Sequence, residues 1–206
     1  MGVPAGMQAF FMSMSSLIIQ KSINGFGPEA MAGMNLYAKL EGLLYLPTFA
    51  YGIALTGFIG QNAGAGRMDR VRKSVEISVR LMIRIILPMS LLITFVSPLA
   101  LRIFTDNPGI LKNAQEAIFF NLPVYVFYGI NQVYLGAIKG LGKTLYPMVC
   151  TLVCYSIFRV VWCDVLLVYF SSMKVVYLSY DVSFMLMLFM LLPVYKRLIR
   201  QEGGCK

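Results

Sequence analysis

The sequence contains no histidine and few charged residues. Only 13% of its 206 residues are Asp, Glu, Lys or Arg, against about a quarter in an ordinary soluble domain. The hydrophobic share is 58% and the mean hydropathy is +0.72. So few charges cannot cover a surface that faces water, which means that much of this surface faces something other than water. The lack of histidine also removes the usual general base and the commonest transition-metal ligand.

The cysteines and carboxylates do not form the groupings that enzymes or metal sites use. Three cysteines lie in apolar stretches (Cys150, Cys154 and Cys163), and together with Cys205 they lack paired C-x-x-C spacing. They are expected to be small hydrophobic residues rather than zinc ligands. The sequence shows no nucleophile–base set and no paired carboxylates. We therefore expect no enzyme, no metal and no cofactor.

Six apolar segments approach or reach the length that crosses a bilayer as a helix. A hydrocarbon core of about 30 Å needs roughly 20 apolar residues. Turns containing glycine or proline separate the segments, which are too long for membrane strands. The sequence predicts an all-α integral membrane protein, a single bundle of six transmembrane helices at residues 3–23, 36–61, 75–104, 117–138, 145–171 and 175–195.

The basic residues predict the orientation of this bundle. With six helices, both termini lie on the same side as the second and fourth connections. That side holds most of the Lys and Arg residues outside the helices, including Arg67, Arg72, Lys143, Arg197 and Lys206. The positive-inside rule then places both termini in the cytoplasm. We expect a multi-pass protein of the plasma or inner membrane. Because topology explains the basic charge, we expect the lipid bilayer as a partner and no nucleic acid.

A glycine-rich motif follows the second segment, and three other stretches accompany it in a characteristic order. The motif is GQNAGAGRMDRVRK at residues 60–73; its key residues are Gly60, Gln61, Asn62, Gly64, Gly66 and Arg70. The others are GVPAG at 2–6, NGFG at 24–27 with Ala32-Gly33 after it, and GAIKGLGKT at 136–144. Together they resemble the C-terminal half of the MATE (multidrug and toxic compound extrusion) family.

The resemblance implies a fold and a function. MATE transporters have twelve transmembrane helices in two lobes of six, which open alternately to either side of the membrane. The chain is thereby expected to be one lobe of a secondary active transporter that exports drugs or organic cations in exchange for H⁺ or Na⁺. Its expected partners are an N-terminal six-helix lobe, from the same gene or another chain, and a small amphipathic or cationic substrate.

Two alternatives stay open on the sequence alone. The wider exporter superfamily shares this architecture, so a flippase or exporter of lipid-linked oligosaccharide is the first. The GQN-x-GAG motif favours the MATE branch over it. A truncated membrane remnant without transport activity is the second, and the missing N-terminal lobe motivates it.

The second segment carries the first candidate functional residues. Ionisable groups inside a membrane are costly and mark functional sites, and Lys39 and Glu41 lie in this segment. Tyr37, Glu41 and Tyr45 are spaced by four residues and share a helix face. A carboxylate flanked by phenols can exchange a proton or contact an organic cation, and the family often places an acidic residue here. The alternative is that Glu41 lies near the membrane surface and is merely solvated or paired.

Polar stripes mark two further segments. They are spaced by three or four residues, so each lies on one helix face, which must meet a cavity or another helix rather than lipid. Many cation-coupled members of the family have an aspartate near the middle of the fourth helix of this lobe, where this sequence has tyrosine. Coupling is therefore expected to depend on Glu41 or on the N-terminal lobe. The stripe residues are Asn121, Tyr125, Tyr128 and Gln132, and in the first segment Gln20 and Asn24.

The fifth segment contains two charges within an apolar run, Arg159 and Asp164. Five residues apart, they are poorly placed to pair with one another on a single helix. We expect both to be buried, each with a partner on another helix, and Arg159 to be structural.

Overall fold

The computed structural model describes residues 2–203, with the side chains of 6–201, so Cys205 and Lys206 lie outside it. Six long helices make up the described chain, in which no strand occurs. They are α1 (Gly2–Asn24), α2 (Pro28–Gly64), α3 (Met68–Arg102), α4 (Pro108–Gly140), α5 (Leu145–Tyr169) and α6 (Met173–Gly203). The all-α six-helix bundle predicted from the sequence is confirmed.

The helices extend beyond the apolar segments that predicted them. Helix α2 begins at Pro28 rather than residue 36, and α4 begins at Pro108 rather than residue 117. Proline at the first helical position fixes φ for the first turn, and Asn107 caps α4 by accepting from the Gly109 and Ile110 amides at 2.8 and 3.3 Å. Hydropathy marks only the portion within hydrocarbon, so it misses these polar first turns.

Helix α4 lies at the centre of the bundle, in contact with α2, α3 and α6. By length and composition, α2, α3, α5 and α6 are apolar enough to cross a membrane. The central position of α4 explains why it needs less hydropathy than they do. Its surface meets other helices more than lipid, so it can carry polar groups such as Asn121 and Asn131, both fully buried.

Helices α2 and α4 approach each other at backbone distance. A Cβ added to Gly136 would lie 2.6 Å from the carbonyl oxygen of Gly52, and one added to Gly140 would lie 2.8 Å from that of Thr56. Cβ atoms essentially never come within 3.0 Å of such atoms. Gly33 repeats the pattern near the start of α2. The two helices therefore pack along most of their length through residues that have no side chain.

The glycine-rich turns after α2 and α4 end both helices in the same way. Gly66 has φ +69°; its amide donates to the Ala63 carbonyl at 3.0 Å, and the Arg67 amide donates to that of Asn62 at 2.8 Å. Gly142, with φ +79°, repeats this pair of bonds at the end of α4. These are Schellman motifs, whose left-handed residue favours glycine. Both glycine-rich motifs thus serve as helix ends.

Helix α5 is interrupted by a π-helical stretch, Leu152–Ile157. Such a stretch disturbs the regular hydrogen-bond ladder and is frequent at functional sites. Here α1 binds to it directly. Ser15 Oγ donates to the Tyr155 carbonyl at 3.0 Å, and Ser156 Oγ donates to the Phe11 carbonyl at 3.2 Å. These bonds hold α1 against α5 one turn before Arg159.

We expect Gly136→Ala to destabilise the protein, because the added methyl group must push α2 and α4 apart. Overpacking of this kind costs about 1–3 kcal/mol. The measurement is thermal unfolding of the purified protein in detergent, with Gly57→Ala as the control. Gly57 lies in α2 with open space at its Cβ position, so that change should be neutral or slightly stabilising. Equal melting temperatures for the two variants would contradict the close packing.

Candidate functional site

A cavity of about 330 Å³ lies where α1, α2, α4, α5 and α6 meet. Its wall carries two charged side chains, Glu41 from α2 and Arg159 from α5. Most of the remaining wall is aromatic, and Ser16 of α1 adds a hydroxyl group. The aromatic residues are Tyr45, Tyr128, Tyr155, Tyr180 and Phe184.

Arg159 is held by an aromatic cage formed by Tyr155, Tyr180 and Phe184. Its Cζ atom lies 4.3 Å from the ring centre of Tyr180, 4.8 Å from that of Tyr155 and 5.5 Å from that of Phe184. Its Nε donates to Ser183 Oγ at 2.7 Å. Stacking on ring faces stabilises a guanidinium group in an apolar setting. The cage therefore accommodates a charge within an apolar helix segment.

No carboxylate forms a close ion pair with Arg159 in the described chain. The only pair of opposite charges there with N···O within 4.0 Å is Glu76–Arg80, at 3.9 Å on the exposed face of α3. Glu41 and Asp181 both lie near enough to Arg159 to interact with it electrostatically. Arg159 thus lies near two acidic side chains without forming an ion pair with either.

The face of α2 predicted from its spacing does form one wall of the site. Glu41 is half-buried, and Tyr45 lies beside it on the cavity wall with its ring stacked on Tyr128 at 6.0 Å. Tyr37, one turn earlier, is only 2% exposed, and its hydroxyl has no hydrogen-bond partner among the described residues. These positions leave Glu41 with phenols on either side.

The polar stripe of α4 packs behind this wall. Tyr128 reaches the cavity and accepts a hydrogen bond from Gln132 Nε2 at 2.6 Å. The ring of Tyr125 lies 4.9 Å from that of Tyr128 and is fully buried. Asn121 is also fully buried, and neither its amide oxygen nor its nitrogen has a partner within the described residues. The stripe therefore faces the bundle interior.

Several buried polar groups without partners form what we call the polar layer: Tyr37, Asn121, Tyr125 and Asp181. Helices α2, α4 and α6 run in the same direction, and contacts between aromatic rings show which residues lie at the same height along the bundle axis. The Tyr125 ring lies 6.1 Å from that of Phe184. Asn121 is one turn before Tyr125, and Asp181 is one turn before Phe184, so the two lie at one level. Tyr37 and Glu41 approach this level from α2.

Three predicted residues lie away from the cavity. Lys39 is exposed, with Nζ 4.8 Å from the centre of the Phe104 ring. It is two residues from Glu41, and residues two apart on a helix point to different faces. Gln20 and Asn24 bond to each other, Nε2 to Oδ1, at 3.1 Å on the exposed side of α1. The two side chains therefore bond to each other within α1 rather than to another helix.

The prediction that Asp164 is buried is wrong, since its side chain is exposed. Five residues correspond to a rotation of about 140° on a helix, so Asp164 turns away from the face that carries Arg159. It also lies near the end of α5, which stops at Tyr169. Hydropathy alone placed it too deep.

The glycine-rich motif also lies apart from the cavity. Gly60 is roughly 30 Å along α2 from Glu41, at the rise of an α-helix. Asn62 Nδ2 donates to the Phe58 carbonyl at 2.8 Å, while the remaining motif residues lie in or beside the turn. Gln61, Gly64, Gly66 and Arg70 are exposed there.

Sequence reasoning missed the contribution of α6. Its stretch VVYLSYDVSF supplies Tyr180, Asp181, Ser183 and Phe184. Asp181 is a carboxylate inside an apolar segment, so the rule that singled out Glu41 would also have found it. Asn131 was missed as well; its Nδ2 donates to the Tyr155 hydroxyl at 3.2 Å and to the Phe184 carbonyl at 2.9 Å.

The chain is similar to several multidrug resistance proteins. It is 24% identical over 159 residues to the probable multidrug resistance protein YpnP of Bacillus subtilis, which covers 77% of this chain and 36% of that protein. It is 26% identical over 152 residues to the probable multidrug resistance protein NorM of Thermotoga maritima, covering 74% and 33%. The chain thus spans about a third of the length of these relatives.

The fold matches solved MATE transporters. The Vibrio cholerae MATE transporter VcmN in the bent form superposes with a TM-score of 0.87 at 18% identity, over 97% of this chain and 45% of that one. A match to less than half of that transporter accords with one six-helix lobe. The MatE family model matches residues 4–165. This chain therefore belongs to the MATE family.

Proposed function

We propose that this chain forms one lobe of a secondary active transporter that exports small amphipathic or cationic compounds, of the multidrug type, in exchange for H⁺ or Na⁺. The observation that carries the proposal is the cavity: in a membrane bundle of the MATE family, it combines a carboxylate, Glu41, with an aromatic wall. MATE family members are transporters rather than enzymes, and we propose the same for this chain.

The cavity wall suits an organic cation. The π faces of Tyr45 and Tyr128 and the carboxylate of Glu41 all attract positive charge. A volume of about 330 Å³ lies at the small end of the range for ligand pockets, roughly 300–1,000 Å³. This lobe would then hold one end of the substrate, and a second six-helix lobe, from the same gene or another chain, would complete the site.

Exchange needs a group that substrate and ion cannot both use at once. Glu41 meets this requirement, because a proton or sodium ion on its carboxylate removes the charge that attracts the substrate. The polar layer beside it offers further oxygen ligands on Tyr37, Asn121, Tyr125 and Asp181, whose buried atoms lack partners within the described residues. Hard oxygen donors are suited to Na⁺ and to ordered water that carries H⁺.

A drug exporter is better supported than a flippase for lipid-linked oligosaccharide. A flippase for such anionic carriers would be expected to line its cavity with several cations. Of the two intramembrane candidates, Arg159 reaches the wall and Lys39 points away from it.

The ends of the helices support the proposed topology. Arg72, Arg80, Lys196 and Arg200 line one groove between α3 and α6, and Arg72 Nη2 donates to the Ile199 carbonyl at 3.3 Å. The basic residues at the start of α3 and the end of α6 thus lie together at one end of the bundle. By the positive-inside rule this end faces the cytoplasm of a plasma or inner membrane.

We expect Glu41→Gln to reduce efflux of a cationic dye by tenfold or more, because the neutral amide neither attracts the cation nor exchanges the coupling ion. The measurement is energy-dependent dye efflux from cells expressing the full-length protein that contains this chain. Glu76→Gln is the matched control, since Glu76 is exposed on α3 and an exposed ion pair is worth little. Unchanged efflux from Glu41→Gln, with normal membrane insertion, would rule out this role.

We expect Asp181→Asn to raise the concentration of coupling ion needed for half-maximal efflux, because it removes a negative charge from the polar layer. Proteoliposomes that hold a defined H⁺ or Na⁺ gradient separate the two ions. Asp164→Asn, at an exposed site on α5, provides the control. An ion dependence that is the same in both variants would place the coupling ion outside the polar layer.

A further inference from the structure

We propose that Arg159 binds an anionic group of the substrate, so that the preferred substrate is a zwitterion whose amine faces Glu41 and whose carboxylate faces Arg159. The inference rests on the proposed function and narrows its substrate class. It distinguishes molecules that carry both charges from simple organic cations of the same shape.

The hydrogen-bonding capacity of Arg159 is largely unused. A guanidinium group has five N–H donors, and in the described structure only Nε has an acceptor, Ser183 Oγ at 2.7 Å. The terminal nitrogens therefore have donors to spare on a residue that lines the cavity. Two parallel N–H groups on one edge match the two oxygens of a carboxylate.

The aromatic cage orients that free edge. The rings of Tyr180 and Tyr155 lie 4.3 and 4.8 Å from Cζ, which leaves little room for a ligand to approach over those faces. Ser183 holds Nε, and its own hydroxyl donates to the Ser179 carbonyl. A ligand must then meet Arg159 through its terminal nitrogens. An arginine fixed in this way loses little side-chain entropy on binding.

The charges on the wall suit a ligand with both signs. Glu41 and Arg159 line one cavity without forming an ion pair, and an unpaired charge inside a membrane is costly. A simple cation satisfies Glu41 but meets the positive field of Arg159. A zwitterion satisfies both charges. Asp181 does not take the anion's place, because none of its oxygens lies within 4.0 Å of the Arg159 nitrogens.

Two dyes that differ in one group test this inference. Rhodamine 110 carries a cationic xanthene ring and a free carboxylate, and rhodamine 123 is its methyl ester, a cation only. Binding to the purified full-length protein is measured by fluorescence anisotropy, and export is measured in cells. We expect rhodamine 110 to bind at least about tenfold more tightly than its ester, as two charge-assisted hydrogen bonds imply.

Variants of the site distinguish the contribution of the ligand's carboxylate to binding from that of its cationic group. Arg159→Lys keeps the charge but removes the paired N–H groups of the guanidinium edge. It should therefore weaken the binding of rhodamine 110 about tenfold and the binding of the ester less than twofold. Ser183→Ala, which removes only the Nε partner, should reduce the same preference with less risk to folding. Glu41→Gln should weaken both dyes, because both carry the cation. Melting temperatures identify any variant that fails to fold.

The inference is overturned if the wild-type protein binds the ester as tightly as rhodamine 110, or if Arg159→Lys and Ser183→Ala weaken both dyes equally. Glu41-dependent export of both dyes without preference would refute this inference and leave the proposed function intact. Export of neither dye would count against the proposed function, while the binding data would still decide the role of Arg159.

Discussion

The backbone contact between α2 and α4 fixes the geometry on which the rest of the bundle depends. Because Gly52 and Gly136 have no side chains, the two helices touch closely enough that neither can slide past the other without a clash. Glu41 and Tyr45 on α2 therefore stay level with Tyr128 on α4. The cavity depends on this fixed register, since a shift of α2 along α4 by one turn would separate the Glu41 carboxylate from the aromatic rings.

The other half of the site is positioned by different means. Hydrogen bonds in both directions between α1 and α5 hold the π-helical stretch, and the aromatic cage joins α5 to α6. The cavity lies where this group of helices meets the pair α2–α4. Glu41 belongs to one group and Arg159 to the other, so their separation depends on how the two groups pack. A rearrangement between the groups would change the space between the charges without unfolding any helix.

The sequence predicted the helices well, because twenty apolar residues in a row have few other structures available in lipid. It predicted side-chain partners poorly. Spacing identified the shared face of Tyr37, Glu41 and Tyr45, since helical periodicity is local. It could not place Asp164 outside the interior, because burial depends on which helix lies opposite. Asp181 was overlooked although its chemistry matched that of Glu41, and only the packing of α6 against α4 connects it to the site.

The unpaired polar groups fit the binding role that we propose for this site. Each buried donor or acceptor without a partner costs about 1–3 kcal/mol, and among the described residues the polar layer holds several such atoms between three helices. A bundle selected for stability alone would place leucine or phenylalanine at such positions, as the surrounding core does. Rules of this kind are broken mainly at functional sites. On the proposed function, a ligand, ion or water that satisfies these atoms would stabilise the folded bundle, and occupancy of the site would be linked to the packing of α2, α4 and α6.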